Sequence, residues 1–339
     1  MLRRILAAAF LLALALAALI AAWPQLFGLQ TLPIVAHAVS LRGLAIAVAV
    51  LGIVVLLLVS LAAPRARRFA ASVALVFLVF ALVSGAVVAT RGIGDTSFTT
   101  KGETELTVLS WNTLGDAPGA EAIADLVVES HADIVVLPET SEEMGDLVAS
   151  RLAAAGSPVS SLTLSYDRIS KARSTTLLIG EQLGTYEFSQ DRTTSVLPTL
   201  VATPVSGSGP TIIAVHSVAP IPGEFENWRT DLQWLRAACS GDNVIMAGDF
   251  NATLDHFAGL GNTATSTIGD CTDAALLSDN GAVGTWPTTL PAIAGAPIDH
   301  VMQTPNWRVT GMRVYENYDA FGSDHRPIVT QLSPANAQG

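Results

Sequence analysis

Apolar positions are spread unevenly along the 339 residues. The first ninety hold three long apolar runs, Ile5 to Trp23, Gly43 to Ala63 and Phe69 to Ala89. Each is long enough to cross a hydrocarbon core of about 30 Å at roughly 1.5 Å per residue. The second and third show no polar face to water, which argues against a signal peptide followed by buried soluble helices. Past residue 105 the apolar stretches shorten and polar turns separate them. Leu106 to Trp111, Ile134 to Leu137, Thr176 to Ile179, Thr211 to His216, Val244 to Ala247, Ile298 to Met302 and Ile328 to Leu332 read as strands. Several are apolar throughout, which predicts cover on both faces.

Helical spacing falls between them. One helix starts at Pro118 with Ile123, Leu126 and Val127 on one face. Another follows Thr140-Ser141-Glu142-Glu143, whose spacing is that of a capping box, ahead of Met144, Leu147 and Val148. A third carries Trp228, Leu232 and Leu235. Strands alternating with helices, then a strand-rich second half, predict a layered α/β domain. No internal repeat is visible.

Charge sharpens this division. Residues 1–90 contain no Asp or Glu; residues 91–339 hold all 29 acidic residues and 12 of the 18 Lys and Arg, a balance of −17. The expected organisation is a membrane domain with three transmembrane helices over 1–90, a linker over 91–105, a catalytic domain over 106–333 and a tail over 334–339. Arg3 and Arg4 precede the first run, and Arg65, Arg67 and Arg68 fill the connection between the second and third. The positive-inside rule puts these on the cytoplasmic side and the C-terminal domain outside, as a multi-pass protein of a bacterial-type cell membrane. The acidic balance argues against a broad electrostatic grip on a polyanion. Cys239 and Cys271 both lie in the outer domain, where either a bridge or two buried thiols suits an exported protein. No spacing of Cys or His suggests zinc.

Five polar signatures stand at or near the ends of the apolar stretches. They are Ser110-Trp111-Asn112, Pro138-Glu139-Thr140, Gly248-Asp249-Phe250-Asn251, Ile298-Asp299-His300 and Gly322-Ser323-Asp324-His325. A polar group at the end of a buried strand is costly unless something binds it. Together they predict one acidic pocket containing a histidine, the equipment of a metal-assisted hydrolase. Hard oxygen donors suit Mg²⁺ or Mn²⁺, and Ca²⁺ is compatible with them. Asp249 and Asn251, two apart, face one side in extended geometry while Phe250 faces the core.

In order and wording, these pieces resemble the endonuclease/exonuclease/phosphatase superfamily of metal-dependent phosphoesterases over roughly residues 104–333. Gly-Asp-Phe-Asn followed by Ser-Asp-His is the most specific part. Thr285-Trp286-Pro287 and Val215 to Pro220 look like a bacterial membrane-anchored branch. The resemblance implies an α/β sandwich, two facing β-sheets flanked by helices. It implies a metal held by Glu139, with Asn112 helping to hold the metal or its water shell and Asp324 on the metal side. Asp249 would orient or deprotonate the attacking water, and Asn251 would bind a phosphate oxygen or the nucleophile. Asp299 and His325 are the partnered carboxylate and histidine, and His216 contacts the scissile phosphate. Whether Asp249 or His325 is the base stays open. Pro138 stands where the family more often has Gln, and Ser217-Val218-Ala219 is atypical, so the phosphate-side wall differs. His300 should point away from Asp299 as a structural residue, and His131 and His256 carry no functional signal.

The expected activity is in-line water attack on a phosphodiester or phosphomonoester, with a lipid-linked or small substrate ahead of nucleic acid and the lipid bilayer as the other partner. A surface nuclease is the rival reading, favoured by a basic cluster of Arg168, Lys171 and Arg173; a non-catalytic receptor reusing the fold is the third.

Overall fold

A computed structural model of the chain describes residues 1–94, 97–167, 169–207 and 209–335. Arg168 and the tail beyond residue 335 lie outside the described residues. Among the described residues, three helices are long and apolar enough to cross a membrane: α1 (Leu2–Ala22), α3 (Arg42–Ala62) and α4 (Arg67–Arg91). A short α2 (Val35–Ser40) lies in the connection between the first two. Helices α3 and α4 pack closely, with the Phe77 ring against Gly52.

The C-terminal domain opens with β1 (Leu106–Ser110), α5 (Gly119–Ser130), β2 (Ile134–Pro138), α6 (Glu142–Ala154), β3 (Val159–Ser165) and β4 (Ser174–Gly180). It continues with β5 (Tyr186–Ser189), β6 (Leu200–Pro204), β7 (Thr211–His216), α7 (Phe225–Ala238) and β8 (Val244–Asp249). It ends with β9 (Thr272–Asp273), α8 (Ala274–Leu277), β10 (Asp299–Gln303), β11 (Trp307–Val314) and β12 (Ile328–Pro334).

These strands form two six-stranded sheets, ordered β11-β12-β1-β2-β4-β3 and β5-β6-β7-β8-β10-β9. The sheets share one pattern of directions. Each has a single parallel pair at its centre, β1 with β2 and β7 with β8, and antiparallel neighbours on both sides. A helix connects each parallel pair, as such a crossover requires. The fold thus repeats a topology that has no counterpart in the sequence.

Strand periodicity sorts the core. Val108, Ile134 and Val136 of one sheet meet Ala202, Ile212, Ala214 and Ala247 of the other between the sheets. Leu109, Val135 and Leu137, one residue out of phase, pack outward on Ile123, Leu126 and Val148 of α5 and α6. Ile213, Val215 and Met246 pack outward on Trp228, Leu232 and Leu235 of α7. Cys239 at the end of α7 is bonded to Cys271, with Cα atoms 6.0 Å apart and a sequence separation of 32. Closing such a loop stabilises the fold by roughly 3–4 kcal/mol in the chain-entropy view. The capping box expected from the spacing does not form; the N-cap falls one residue later, and the N–H of Ser141 donates to Asp116 Oδ1 rather than to a glutamate of the helix. Ser141 caps α6, accepting from Met144 N, because Thr140 faces inward and is hydrogen-bonded to Thr113.

The three long apolar helices touch the C-terminal domain directly. Gln25 just after α1, the start of α3 and the end of α4 all reach it, whereas the Arg65–Arg68 connection lies at the opposite ends of α3 and α4. A Cβ at Gly43 would come 1.8 Å from Ile293 O, so only glycine lets the first turn of α3 abut that backbone. Within the 91–105 segment, Gly94 N donates to Asp279 O, and Phe98 bridges Gly311.

Candidate active site

Strand register assembles the pocket. His216 of β7 lies opposite Asp249 of β8, which lies opposite Asp299 of β10, so three motif residues stand side by side on adjacent strands. The facing sheet brings Asn112 after β1 and Glu139 after β2. A Cβ at Gly248 would sit 2.0 Å from Val215 O, and that close approach sets how tightly β7 and β8 converge beneath the pocket.

Asp249 is fully buried, and its Oδ2 accepts from Asn112 Nδ2 at 3.1 Å and Asn251 Nδ2 at 3.1 Å, with His325 Nε2 at 3.8 Å. Burial raises its pKa, and Asp299 adds to the rise while charged His325 opposes it. The extended geometry expected for Asp249 to Asn251 does not occur. Strand β8 stops at Asp249, and Asn251 turns left-handed at φ 47°, with its N–H donating to Asp249 Oδ1 at 2.8 Å. The two side chains still meet, while Phe250 enters the core.

His325 is buried, and Nδ1 lies 2.8 Å from Asp299 Oδ2. Burial alone would favour the neutral ring, but Asp299 and Asp249 outweigh it and hold the imidazolium. With a proton on each nitrogen, the ring donates to Asp299 and points Nε2–H toward Asp249. Its backbone is pinned to the other sheet by Trp111 Nε1 donating to His325 O at 2.9 Å and Ser323 Oγ to Asn112 O at 2.6 Å.

Glu139 is partly exposed at 19% and adopts a left-handed φ of 57°, a strained conformation for a side chain of this kind. It is held by its own N–H to Ser174 O and by Thr113 Oγ1 to its carbonyl. Burial raises its carboxyl pKa, and Asp324 and Asp299 add to this. Asn112 donates Nδ2 to Glu139 Oε1 at 3.1 Å, while its Oδ1 accepts from Leu114 N at 3.0 Å. Flipping the amide would break all three of these bonds, so Asn112 offers N–H to the carboxylates and turns its oxygen away from the pocket. His216 is buried and held neutral, its pKa pushed down to about 3 by burial and then by charged His325. Its Nε2 lies 4.0 Å from Glu139 Oε1.

Four carboxylates therefore share the pocket with one imidazolium. The buried Oδ1 atoms of Asp299 and Asp324 have no hydrogen-bond partner. Ligand atoms of Asp249, Asp299 and His325 lie within 4.8 Å of one another. That closeness is largely the hydrogen bonding just described, so the open oxygens of Glu139 and Asp324 are the better donors. Uncompensated buried negative charge and hard oxygen ligands fit a divalent cation.

Several supporting contacts escaped the sequence reading. Thr285 Oγ1 accepts from Ile298 N and Asp299 N, and Trp286 Nε1 donates to Asp324 Oδ2 at 2.8 Å. The Thr285-Trp286-Pro287 signature marks these residues but not what they hold. His300 points away from the pocket, 2.5 Å from Asp273 Oδ2 and 2.8 Å from Ala252 O. His131 ends α5 in a left-handed conformation. In the basic cluster, Lys171 pairs with Asp116 at 2.8 Å and Arg173 lies over the Tyr166 ring.

The family model described as Endonuclease/Exonuclease/phosphatase family matches residues 109–325. Among solved structures, humanized D. rerio TDP2 is 18% identical with a TM-score of 0.52, covering 68% of this chain and 100% of that one. D. rerio TDP2 complexed with single strand DNA product is 17% identical with a TM-score of 0.51 at the same coverage. An endonuclease/exonuclease/phosphatase from Beutenbergia cavernae is 18% identical with a TM-score of 0.50, covering 69% of this chain and 73% of that one. At these identities the likeness is one of fold. No protein of curated function matches the chain.

Proposed function

The chain belongs to the endonuclease/exonuclease/phosphatase family of metal-dependent phosphoester hydrolases, and from that premise we propose that it is a membrane-anchored enzyme hydrolysing a lipid-linked or small phosphoester on the extracytoplasmic side. The observation that carries the hydrolytic reading is the convergence of Asn112, Asn251 and charged His325 on one oxygen of Asp249. Glu139 and Asp324 would hold Mg²⁺ or Mn²⁺, and Asn112 serves by fixing Glu139 rather than by ligating through its own oxygen. When bound, the cation neutralises the phosphate oxygens and stabilises the departing oxygen.

Asp249 orients a water in line with the ester bond and takes its proton as the water oxygen bonds to phosphorus. The opposite P–O bond breaks, and its oxygen leaves with the bonding pair and then takes a proton from solvent water. His325, already protonated on both nitrogens, is not the base; it donates Nε2–H to a non-bridging oxygen, held in place by Asp299. Asn251, whose Nδ2 donates to Asp249 Oδ2 and Ser217 O, holds the base in place beside the phosphate, and neutral His216 lines the wall beside Glu139.

Support for the substrate class comes from charge and placement. The outer domain carries −17, and Lys171 and Arg173 of the basic cluster are engaged within the domain. The helix ends that reach the domain lie away from Arg65, Arg67 and Arg68, which agrees with an outer location under the positive-inside rule.

The test is a panel of lipid-type headgroup diesters, small phosphomonoesters, plasmid DNA and RNA, with Mg²⁺, Mn²⁺ or excess chelator. Turnover of the lipid-type or small esters, lost in chelator, is expected. Efficient DNA or RNA cleavage with those esters untouched would make this a surface nuclease, and full activity in chelator would reject the metal. A reporter active only outside the cell should be bright after Gly339 and silent after Arg67.

A further inference from the structure

A second buried charge cluster lies where the membrane helices meet the outer domain. Asp255 Oδ1 accepts from Arg42 Nη2 at 2.7 Å, Gln25 Nε2 at 2.8 Å and Arg91 Nη2 at 2.9 Å, and its Oδ2 accepts from Arg91 Nη1 at 2.8 Å. Arg42 comes from the first residue of α3 and Arg91 from the last of α4. Burial works against ionisation of Asp255, but hydrogen bonds and charge from Arg91 and Arg42 outweigh it and hold the carboxyl well below its usual range.

Among the described residues, two guanidiniums thus face one carboxylate, leaving a net positive charge in a place sheltered from water. Arg42 is only 6% exposed, and its Nε has no hydrogen-bond partner. Both arginines line a cavity of about 640 Å³. One wall is apolar, from Val83, Ala86 and Val87 in the last turns of α4, and Leu254 and Ala258 belong to the domain side. His256, next to Asp255, is buried and held neutral, so it adds no charge.

We propose that this cavity binds the phosphate of an anionic phospholipid from the adjoining leaflet. Its phosphate would sit against Arg42 and Arg91, and its chains would run along α4. Unpaired buried positive charge calls for an anion, and the phosphate accepts the free N–H of a guanidinium well. The apolar wall continuing into a membrane-spanning helix selects a lipid over a free ion. The net positive charge favours an anionic headgroup over a zwitterionic one, whose ammonium would lie in the same field. This inference rests on the membrane reading of α1, α3 and α4, not on the hydrolytic one, and the site is separate from the catalytic pocket.

The test is native mass spectrometry of the full chain in detergent, offered phosphatidylglycerol and phosphatidylcholine of matched chains, with inorganic phosphate as a competitor. Phosphatidylglycerol should be retained at least about fivefold better, the contribution of roughly one basic residue at a membrane surface. Arg91→Gln and the cavity-filling Ala86→Trp should each abolish that preference. Ala86→Trp lies on the lipid-facing side of α4 and should leave hydrolysis of a soluble phosphoester unchanged. Equal retention of both lipids, or a preference that survives in both variants, would overturn the proposal. Competition by millimolar phosphate would also overturn it, in favour of an ion site. A chain that stays dispersed without detergent would overturn the membrane reading and the proposal together, whereas one that needs detergent yet binds both lipids equally would overturn the proposal alone.

Discussion

Two buried charge clusters lie at the two ends of one short loop and have opposite sign. Asp249 and Asn251 stand in the catalytic pocket; six residues past Asp249, Asp255 stands at the junction with the membrane helices. In the pocket, carboxylates outnumber the imidazolium, the side-chain donors to Asp249 Oδ2 lie 3.1 Å away, and oxygens of Asp299 and Asp324 have no partner among the described residues. At the junction, guanidiniums outnumber the carboxylate, and every contact to Asp255 Oδ1 and Oδ2 is 2.9 Å or shorter. A buried carboxylate with its hydrogen bonds filled holds parts of a structure together. One left underfilled is poised to bind something else, because its unmet desolvation cost is recovered only when a ligand arrives.

The largest expected effect is at Asp249. Asp249→Asn should lower kcat by at least about 10²-fold, the lower range of one general base. Thermal unfolding of the same variant should show a midpoint unchanged or raised, since one of four crowded carboxylates is gone. The junction should respond in the opposite way. Asp255→Asn leaves two guanidiniums without their counter-charge and should destabilise the chain by about 3–5 kcal/mol, read by unfolding in detergent, with a smaller change in kcat of the folded fraction. If Asp249→Asn unfolds the protein, or Asp255→Asn leaves its stability untouched, the contrast between the two clusters fails.

The smallest effect sharpens the comparison through pH. His256, bonded to Ala36 O beside Asp255, has its pKa pushed down to about 4, chiefly by burial. The unfolded chain therefore binds a proton here that the folded one refuses between about pH 6.5 and 4. The stability contributed by the neutral ring is fully present above about 6.5 and is lost as pH falls through that window. Unfolding midpoints between pH 7 and 4.5 should fall less steeply in His256→Gln than in the parent chain; parallel slopes would remove His256 as the cause.

Legibility from sequence followed burial on both faces. The seven strands read as apolar runs are inner strands of the two sheets, recognisable because neither face meets water. The strands that escaped, β3, β5, β9 and β11, are the outermost ones, and the fifth, β6, is buried only over its first three residues and ends in Pro204. Val159 to Ser165, with its serines and threonine, looks like a loop until the neighbouring β4 supplies partners for its backbone. The five polar signatures were equally visible, because a polar triplet ending an apolar run stands out locally. Their supports were not: Thr285 Oγ1 under Asp299 and Ser323 Oγ on Asn112 O are ordinary hydroxyl residues until the fold brings them there.

The sequence by itself determined the three long apolar helices, the central strands, the acidic character of the C-terminal domain and which residues end those strands. These follow from hydrophobic periodicity and composition, which are written along the chain. Only the tertiary structure decided that His325 meets its expected partner Asp299 through Nδ1 and turns Nε2 toward Asp249, that Asn112 turns its amide N–H to the carboxylates, and that Cys239 meets Cys271. It alone joined Arg42 and Arg91, at the ends of two apolar helices, to Asp255 more than 160 residues further along. Each of these pairings depends on strand register and helix packing between segments far apart in sequence, and a hydrogen bond's angular and distance limits are met only once that packing is complete.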